Sequence, residues 1–221
     1  MGVALVTAAL TNIFLIVSAL FPLVNPLGSA PIFLAMTPDA SQTQRKTLAG
    51  QVARNSFFLL LGSMIIGSYV LSFFGVSLPI VQVAGGLVVV STGWMMLKKE
   101  DPDDRQQLAR SAGTESMLRK AFYPLTLPLT VGPGSISVAV TLGADTPEPG
   151  GGRLLLALFA ALVGSLLLAT SVFICYALAD RVVKLLGPTG ASVIMRLSAF
   201  LLMCIGLQIL WNGVKALVHT L

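Results

Sequence analysis

An all-α, polytopic membrane protein with six transmembrane helices in a 3+3 inverted-topology repeat, the first helix of each half broken, follows from three observations. The 221-residue chain is 55% hydrophobic and only 10% charged, far below the roughly 25% charged share of a soluble domain. Its uncharged runs are each long enough to cross a ~30 Å hydrocarbon core, which takes about 20 helical residues. Helix-breaking residues interrupt two of those runs, at Pro22-Leu23-Val24-Asn25-Pro26-Leu27-Gly28-Ser29 and at Pro128-Leu129-Thr130-Val131-Gly132-Pro133-Gly134-Ser135.

The first run covers residues 3–36. It has no Lys or Arg ahead of it and no small-residue cleavage pattern, so it is expected to stay as span one and not to be removed as a signal peptide. Within it Pro22 and Pro26 each remove an N–H, and a residue before proline is steered out of the helical region. Asn25 is therefore expected to be non-helical. Its side-chain oxygen can cap a new helix from Pro26 to about Met36, with proline suited to the first helical position.

Runs at 56–74 and 78–97 supply spans two and three. Residues 98–120 carry no apolar periodicity and read as a cytoplasmic linker; the proline among Asp101 to Asp104 gives turn character and no ligand geometry for calcium. The fourth run, 121–144, holds Gly132-Pro133-Gly134, where glycine reaches positive φ without steric cost and lets another group approach the backbone. Ser135 and Ser137 open the helical piece that follows. Runs at 154–179 and 192–214 complete the set.

The chain thus divides into a first three-span repeat (1–97), the linker (98–120) and a second repeat (121–221) that the odd span count inverts. Pro26 and Pro133 occupy equivalent places, and Gln82-Val83-Ala84-Gly85-Gly86-Leu87 resembles Arg196-Leu197-Ser198-Ala199-Phe200-Leu201. Inverted repeats with discontinuous helices characterise secondary transporters, whose sites lie near the midplane.

A net charge of +5 reads as membrane orientation, with no nucleic-acid partner. Arg45, Lys46, Arg54, Lys98, Lys99, Arg105, Arg110, Arg119, Lys120, Arg181 and Lys184 fall on one side, against Arg153 and Lys215 on the other. The positive-inside rule then makes both termini extracytoplasmic, with Arg196 snorkelling to the cytoplasmic face.

Cys175 and Cys204 lie in apolar runs and read as small hydrophobes. The sole histidine, His219, has no partner for a metal site. No intramembrane Ser, His and Asp set or soluble domain supports an enzyme, and no cofactor is expected. The spans contain no acidic residue for a classical proton relay. If transport is ion-coupled, carbonyls freed at the breaks suit Na⁺, and H⁺ needs an unusual carrier.

In hydrocarbon an unpaired backbone group costs several kcal/mol, so broken backbone survives only where protein buries it or it lines a cavity. Each break presents N–H groups at a helix N-terminus, which with the dipole attract an anion. The expected substrate-binding set is Asn25, Pro26, Gly28 and Ser29 from the first break, with Thr130, Gly132, Pro133, Gly134, Ser135 and Ser137 from the second. Small residues there suit a small carboxylate or zwitterion.

Asn12, Gln82, Gln208 and Asn212 are expected to hydrogen-bond between helices, and Gly85-Gly86 and Gly62 with Gly67 to permit close packing. Rival functions are an exporter of drugs or other apolar compounds and a channel or structural membrane subunit. An apolar export pocket calls for aromatic lining, and the chain is 7% aromatic. Homo-oligomerisation stays open.

Phe21-Pro22-Leu23-Val24-Asn25-Pro26-Leu27-Gly28, Val83-Ala84-Gly85-Gly86-Leu87, the stretch from Pro124 to Ile136, Met195-Arg196-Leu197 and Gln208-Ile209-Leu210-Trp211-Asn212-Gly213 together resemble the MarC family of bacterial and archaeal membrane proteins. The resemblance runs from span one to the C-terminus. It implies a six-span protein of the cytoplasmic (inner) membrane and, as for some members, transport of small neutral amino acids such as glycine and alanine. One departure is Gln82, where the family tends to carry Arg, so Arg196 has no mirror in the first half.

Overall fold

A computed structural model describes residues 2–98, 121–144 and 152–219. Among these residues there is no strand. Helix α1 (Gly2–Val24) meets α2 (Pro26–Ala35) at Asn25, and the two together form one apolar span, Leu5–Ala35. Helices α3 (Gln42–Phe73) and α4 (Leu78–Lys98) complete the first half.

The second half opens with an irregular segment, Ala121–Thr130, followed by α5 (Pro133–Ala144) at a bend of 70°. Helices α6 (Gly152–Ala177) and α7 (Ala179–His219) follow. By length and composition five helices can cross a membrane, and the bent pair makes a sixth crossing if it counts as one span. The two breaks are thus unlike in form: the first interrupts a continuous span, whereas the second turns the chain sharply.

Helix α3 begins well before its apolar run. Ser41 caps it by accepting from the Gln44 N–H at 3.3 Å, while Gln44 Oε1 accepts from the Ser41 N–H at 2.8 Å. This reciprocal cap satisfies two first-turn donors and lets the helix start among charged residues. The polar stretch near Arg181 and Lys184 is helical as well. Helix α7 absorbs it by bending at Gly187 (φ 64°, ψ 174°), a conformation that a side chain would strain. Linker residues 99–120, including the Asp101 to Asp104 cluster, lie outside the described residues.

Helix α6 is the hub of the packed core. Its buried Ala160, Ala161, Leu168, Ala169 and Val172 join a cluster with Ile16, Leu20 and Val24 of α1 and Leu48, Ala49, Val52 and Leu60 of α3. Phe14, Phe73 and Leu185 instead point outward, with Phe73 85% exposed. Apolar surface of that extent needs a lipid environment.

Helices α4 and α7 pack antiparallel through glycine. A Cβ on Gly86 would lie 2.7 Å from the Gly206 carbonyl oxygen, one on Gly93 2.8 Å from the Ala199 oxygen, and one on Gly213 2.7 Å from the Pro79 oxygen. Lipid gives helices no hydrophobic reason to associate, so such backbone approach and its van der Waals contact hold them. The expected close packing at Gly85-Gly86 is present, and Gly67 packs on Val140; Gly62 faces open space.

One expectation about side chains is corrected. Gln208 donates to Asn212 Oδ1 at 2.9 Å within α7, not between helices, because the two are one turn apart on an exposed face. Cys204 is exposed on that helix and Cys175 is half-buried; both are free thiols.

Candidate substrate-binding site

Pro26 fixes the first break. Asn25, held before it, adopts the left-handed conformation (φ 44°, ψ 58°), which asparagine tolerates better than most residues. Its Oδ1 accepts from the Gly28 N–H at 3.2 Å, and its carbonyl accepts from the Ser29 N–H at 3.0 Å and the Ser29 hydroxyl at 2.8 Å. The amide side chain lies where a Gly28 Cβ would be, 2.7 Å from Oδ1. Asn25 therefore caps α2 as its position before proline predicts, and in doing so fills part of the anion site expected there.

Asn25→Ala is expected to lose the cap, at about 0.5 to 2 kcal/mol, and to strain the left-handed backbone by about 1 to 2 kcal/mol. Asn25→Gly keeps the conformation and loses only the cap. Thermal unfolding in detergent should rank wild type above Gly above Ala; an Ala variant as stable as wild type would remove the capping account.

The second break is built by a tandem Pro-Leu-Thr. Tyr123 (φ −124°, ψ 125°) and Leu127 (φ −107°, ψ 127°) are extended, each as the residue before a proline. Each threonine then bonds a carbonyl five residues back: Thr126 to Ala121 at 2.6 Å and Thr130 to Leu125 at 2.7 Å. The Val131 N–H likewise reaches the Thr126 oxygen at 2.8 Å. This widened winding is a form common at functional sites.

Gly132 and Gly134 do not take the positive φ expected of them. At Gly134 the value is space: a Cβ there would collide with Val89 of α4. Helix α5 makes its first bond from the Ile136 N–H to the Gly132 oxygen at 3.1 Å, which leaves the N–H groups of Gly134 and Ser135 ahead of any intrahelical acceptor. Both residues are buried, whereas Pro133 is exposed. Ser135 donates to the Gly132 oxygen at 2.9 Å. Ser137 donates to the Val81 oxygen of α4 at 2.9 Å, so its hydroxyl is committed to helix packing.

Tyr176 of α6, absent from the sequence-based set, joins the two breaks. Its ring stacks on Phe33 of α2, centroids 4.5 Å apart, and its fully buried hydroxyl lies 2.8 Å from Thr130 Oγ1. Because Thr130 already donates to Leu125, Tyr176 must be the donor in the pair. The Ser29 proton is likewise directed at Asn25. The Tyr176 and Ser29 oxygens keep their lone pairs as acceptors.

Further polar groups lie on α3 and α6. Asn55 of α3 donates to Thr126 at 3.4 Å. Ser56 and Ser165, both fully buried, have no hydrogen-bond partner among the described residues, nor has Gln51 Oε1. Of the expected set, Thr130 meets Tyr176 directly; Asn25, Pro26, Gly28 and Ser29 lie at the start of α2, the helix that Tyr176 meets at Phe33; Gly132, Pro133, Gly134 and Ser135 continue from Thr130 toward α4. Among the described residues no cluster of three metal-ligating side chains occurs.

A family model described as "MarC family integral membrane protein" matches residues 10–218. Among curated relatives, the UPF0056 inner membrane protein MarC of Salmonella typhimurium is 28% identical over 205 residues, covering 91% of this chain and 93% of the relative. The protein of the same name from Citrobacter koseri is 30% identical over 213 residues, covering 91% and 93%. The UPF0056 membrane protein YhcE of Escherichia coli is 30% identical over 201 residues, covering 90% and 89%. No solved structure matches the chain.

Proposed function

Because the chain belongs to the MarC family of integral membrane proteins, we propose that it is a secondary transporter of small neutral amino acids, zwitterions of glycine or alanine size, working by alternating access in the inner membrane. The relatives named as inner membrane proteins support the location. The distribution of Lys and Arg supports an orientation with both termini outside. The Arg45–Asp180 ion pair, which joins two segments of the basic side, agrees with that assignment.

The halves 1–97 and 121–221 are read as inverted repeats. Supporting this is the antiparallel approach of α4 and α7, the last span of each half: Gly86 against Gly206 and Gly93 against Ala199 are contacts that a twofold axis between the helices would exchange.

One observation carries the reading: Tyr176, buried between the two breaks, stacks its ring on Phe33 of the helix that follows the first and bonds its hydroxyl to Thr130 of the second. The substrate ammonium is assigned to the acceptor oxygens of Tyr176 and Ser29, and its carboxylate to the Gly134 and Ser135 N–H groups at the start of α5.

Counterflow of labelled glycine in proteoliposomes tests the proposal. Saturable exchange above that of empty liposomes is expected, competed by alanine and not by bulky apolar compounds; exchange no faster than in empty liposomes would contradict it. Imposed Na⁺ and H⁺ gradients identify the coupling ion, and equal rates under both would mean facilitated diffusion.

A further inference from the structure

Arg45 stands at the first turn of α3 and contacts two separate pieces of chain. Its Nη1 donates to both carboxylate oxygens of Asp180 at 3.0 Å. Its Nε and Nη2 donate to the Thr37 carbonyl at 3.2 and 3.0 Å, and Nη2 also to the Pro38 carbonyl at 3.3 Å. The guanidinium thus clamps the turn that leaves α2 to the first turn of α7. Its side chain is only 16% exposed.

Both clamped pieces lead directly to the residues around Tyr176. Thr37 follows Phe33 by one turn, and its hydroxyl donates to the Phe33 carbonyl at 2.8 Å. Asp180 follows Tyr176 by four residues across the short turn at Leu178, whose N–H bonds the Ile174 oxygen at 3.1 Å. The stacked Phe33–Tyr176 pair and the Arg45–Asp180 pair are therefore successive rungs between the same two strands of chain. Opening the bundle on this side requires α2 to part from α6, and that motion must break the outer rung before the inner one.

We propose that Arg45 and Asp180 form a latch that closes the Ser29–Thr130–Tyr176 site toward the face of the membrane bearing Arg45. The latch rests on the transporter reading for its purpose, not for its existence. Two partly shielded charges and three carbonyl contacts give a fastening that is firm yet separable, since water can solvate both partners once they part. Neutralising Asp180 removes the attraction across the seam and leaves Arg45 with the Thr37 and Pro38 carbonyls on its own side.

Accessibility of a buried reporter tests this without any substrate. In a Cys175→Ser, Cys204→Ser background, Val131→Cys places a thiol at a position that is 0% exposed beside Thr130. A membrane-impermeant maleimide is applied to intact cells and to inverted vesicles, and Lys46→Cys identifies which preparation presents the Arg45 face. With Asp180→Asn, labelling of the reporter should rise about tenfold from the Arg45 face alone, the size of a 1.4 kcal/mol shift between closed and open states. Asp180→Glu, which keeps the charge, should label nearly as slowly as its parent.

No rise with Asp180→Asn, an equal rise from both faces, or an equal rise with Asp180→Glu would overturn the latch. If Asp180→Asn does not assemble, Arg45→Gln is read by the same criteria. Face-specific labelling as expected, together with absent glycine counterflow, would refute the transporter reading and leave the latch standing.

Discussion

Replacing Gly206 by leucine is expected to abolish recovery of the folded protein. A Cβ at this position would lie 2.7 Å from the Val90 backbone nitrogen and 3.0 Å from the Gly86 carbonyl oxygen. Overpacking costs about 1 to 3 kcal/mol when side chains can shift, and these neighbours are backbone atoms of a rigid helix. The only relief is to separate α4 from α7, which forfeits the close contact along Gly86, Gly93 and Gly213 as well. Fluorescence-detected size exclusion in detergent should show aggregate for Gly206→Leu, a destabilised monodisperse species for Gly206→Ala, and an unaltered profile for Gly62→Leu, whose Cβ meets open space. A well-behaved Gly206→Leu protein would contradict the packing of these two helices.

Tyr176→Phe is expected to weaken glycine binding by about 10- to 100-fold while leaving the bundle intact. The ring and its stack on Phe33 survive, and Thr130 still donates to Leu125. What disappears is one neutral hydrogen bond, worth about 1 kcal/mol of stability. The ligand loses more, because its ammonium loses a charge-assisted acceptor worth about 1.5 to 3 kcal/mol. Equal affinity in both proteins, measured by scintillation proximity with labelled glycine, would exclude Tyr176 from the site. A large drop in melting temperature would instead make it a purely structural residue.

The parts of this molecule legible in its sequence are those set by neighbouring residues. Asn25 before Pro26 predicts a break, a cap and a new helix, since proline geometry and the asparagine side chain act within four residues; the cap and α2 follow. Gly85 and Gly86 read as contact positions for a similar reason, because a missing side chain permits approach whatever the partner. The form of each break was not legible: proline and glycine say that a helix stops, whereas the 70° turn at α5 depends on what packs around it. The tandem Pro-Leu-Thr was a local signal that the position of its prolines and threonines could have disclosed.

Tyr176 was beyond sequence reasoning. It is one aromatic near the end of a long apolar run, and its partners Thr130 and Phe33 come from two other segments of the chain. Arg45 reads as a charge marking one membrane face and Asp180, 135 residues on, carries no signal of its own; only the folded chain pairs them. Ser137 has a packing contact that only the fold discloses. Its place at a helix start suggests ligand contact, yet the crossing of α4 directs its hydroxyl to Val81.

The central claim is that the broken segments, joined at Tyr176, hold one small zwitterion. Equilibrium binding of labelled glycine to purified wild type, Tyr176→Phe and Thr141→Ala tests it most directly; Thr141 donates within α5 to the Ser137 carbonyl and lies outside the site. Saturable binding in wild type and Thr141→Ala, with a loss of 10-fold or more, on the order of 1.4 kcal/mol, in Tyr176→Phe, is the predicted result. Binding that is absent from wild type, or indifferent to the Tyr176 hydroxyl, would contradict it.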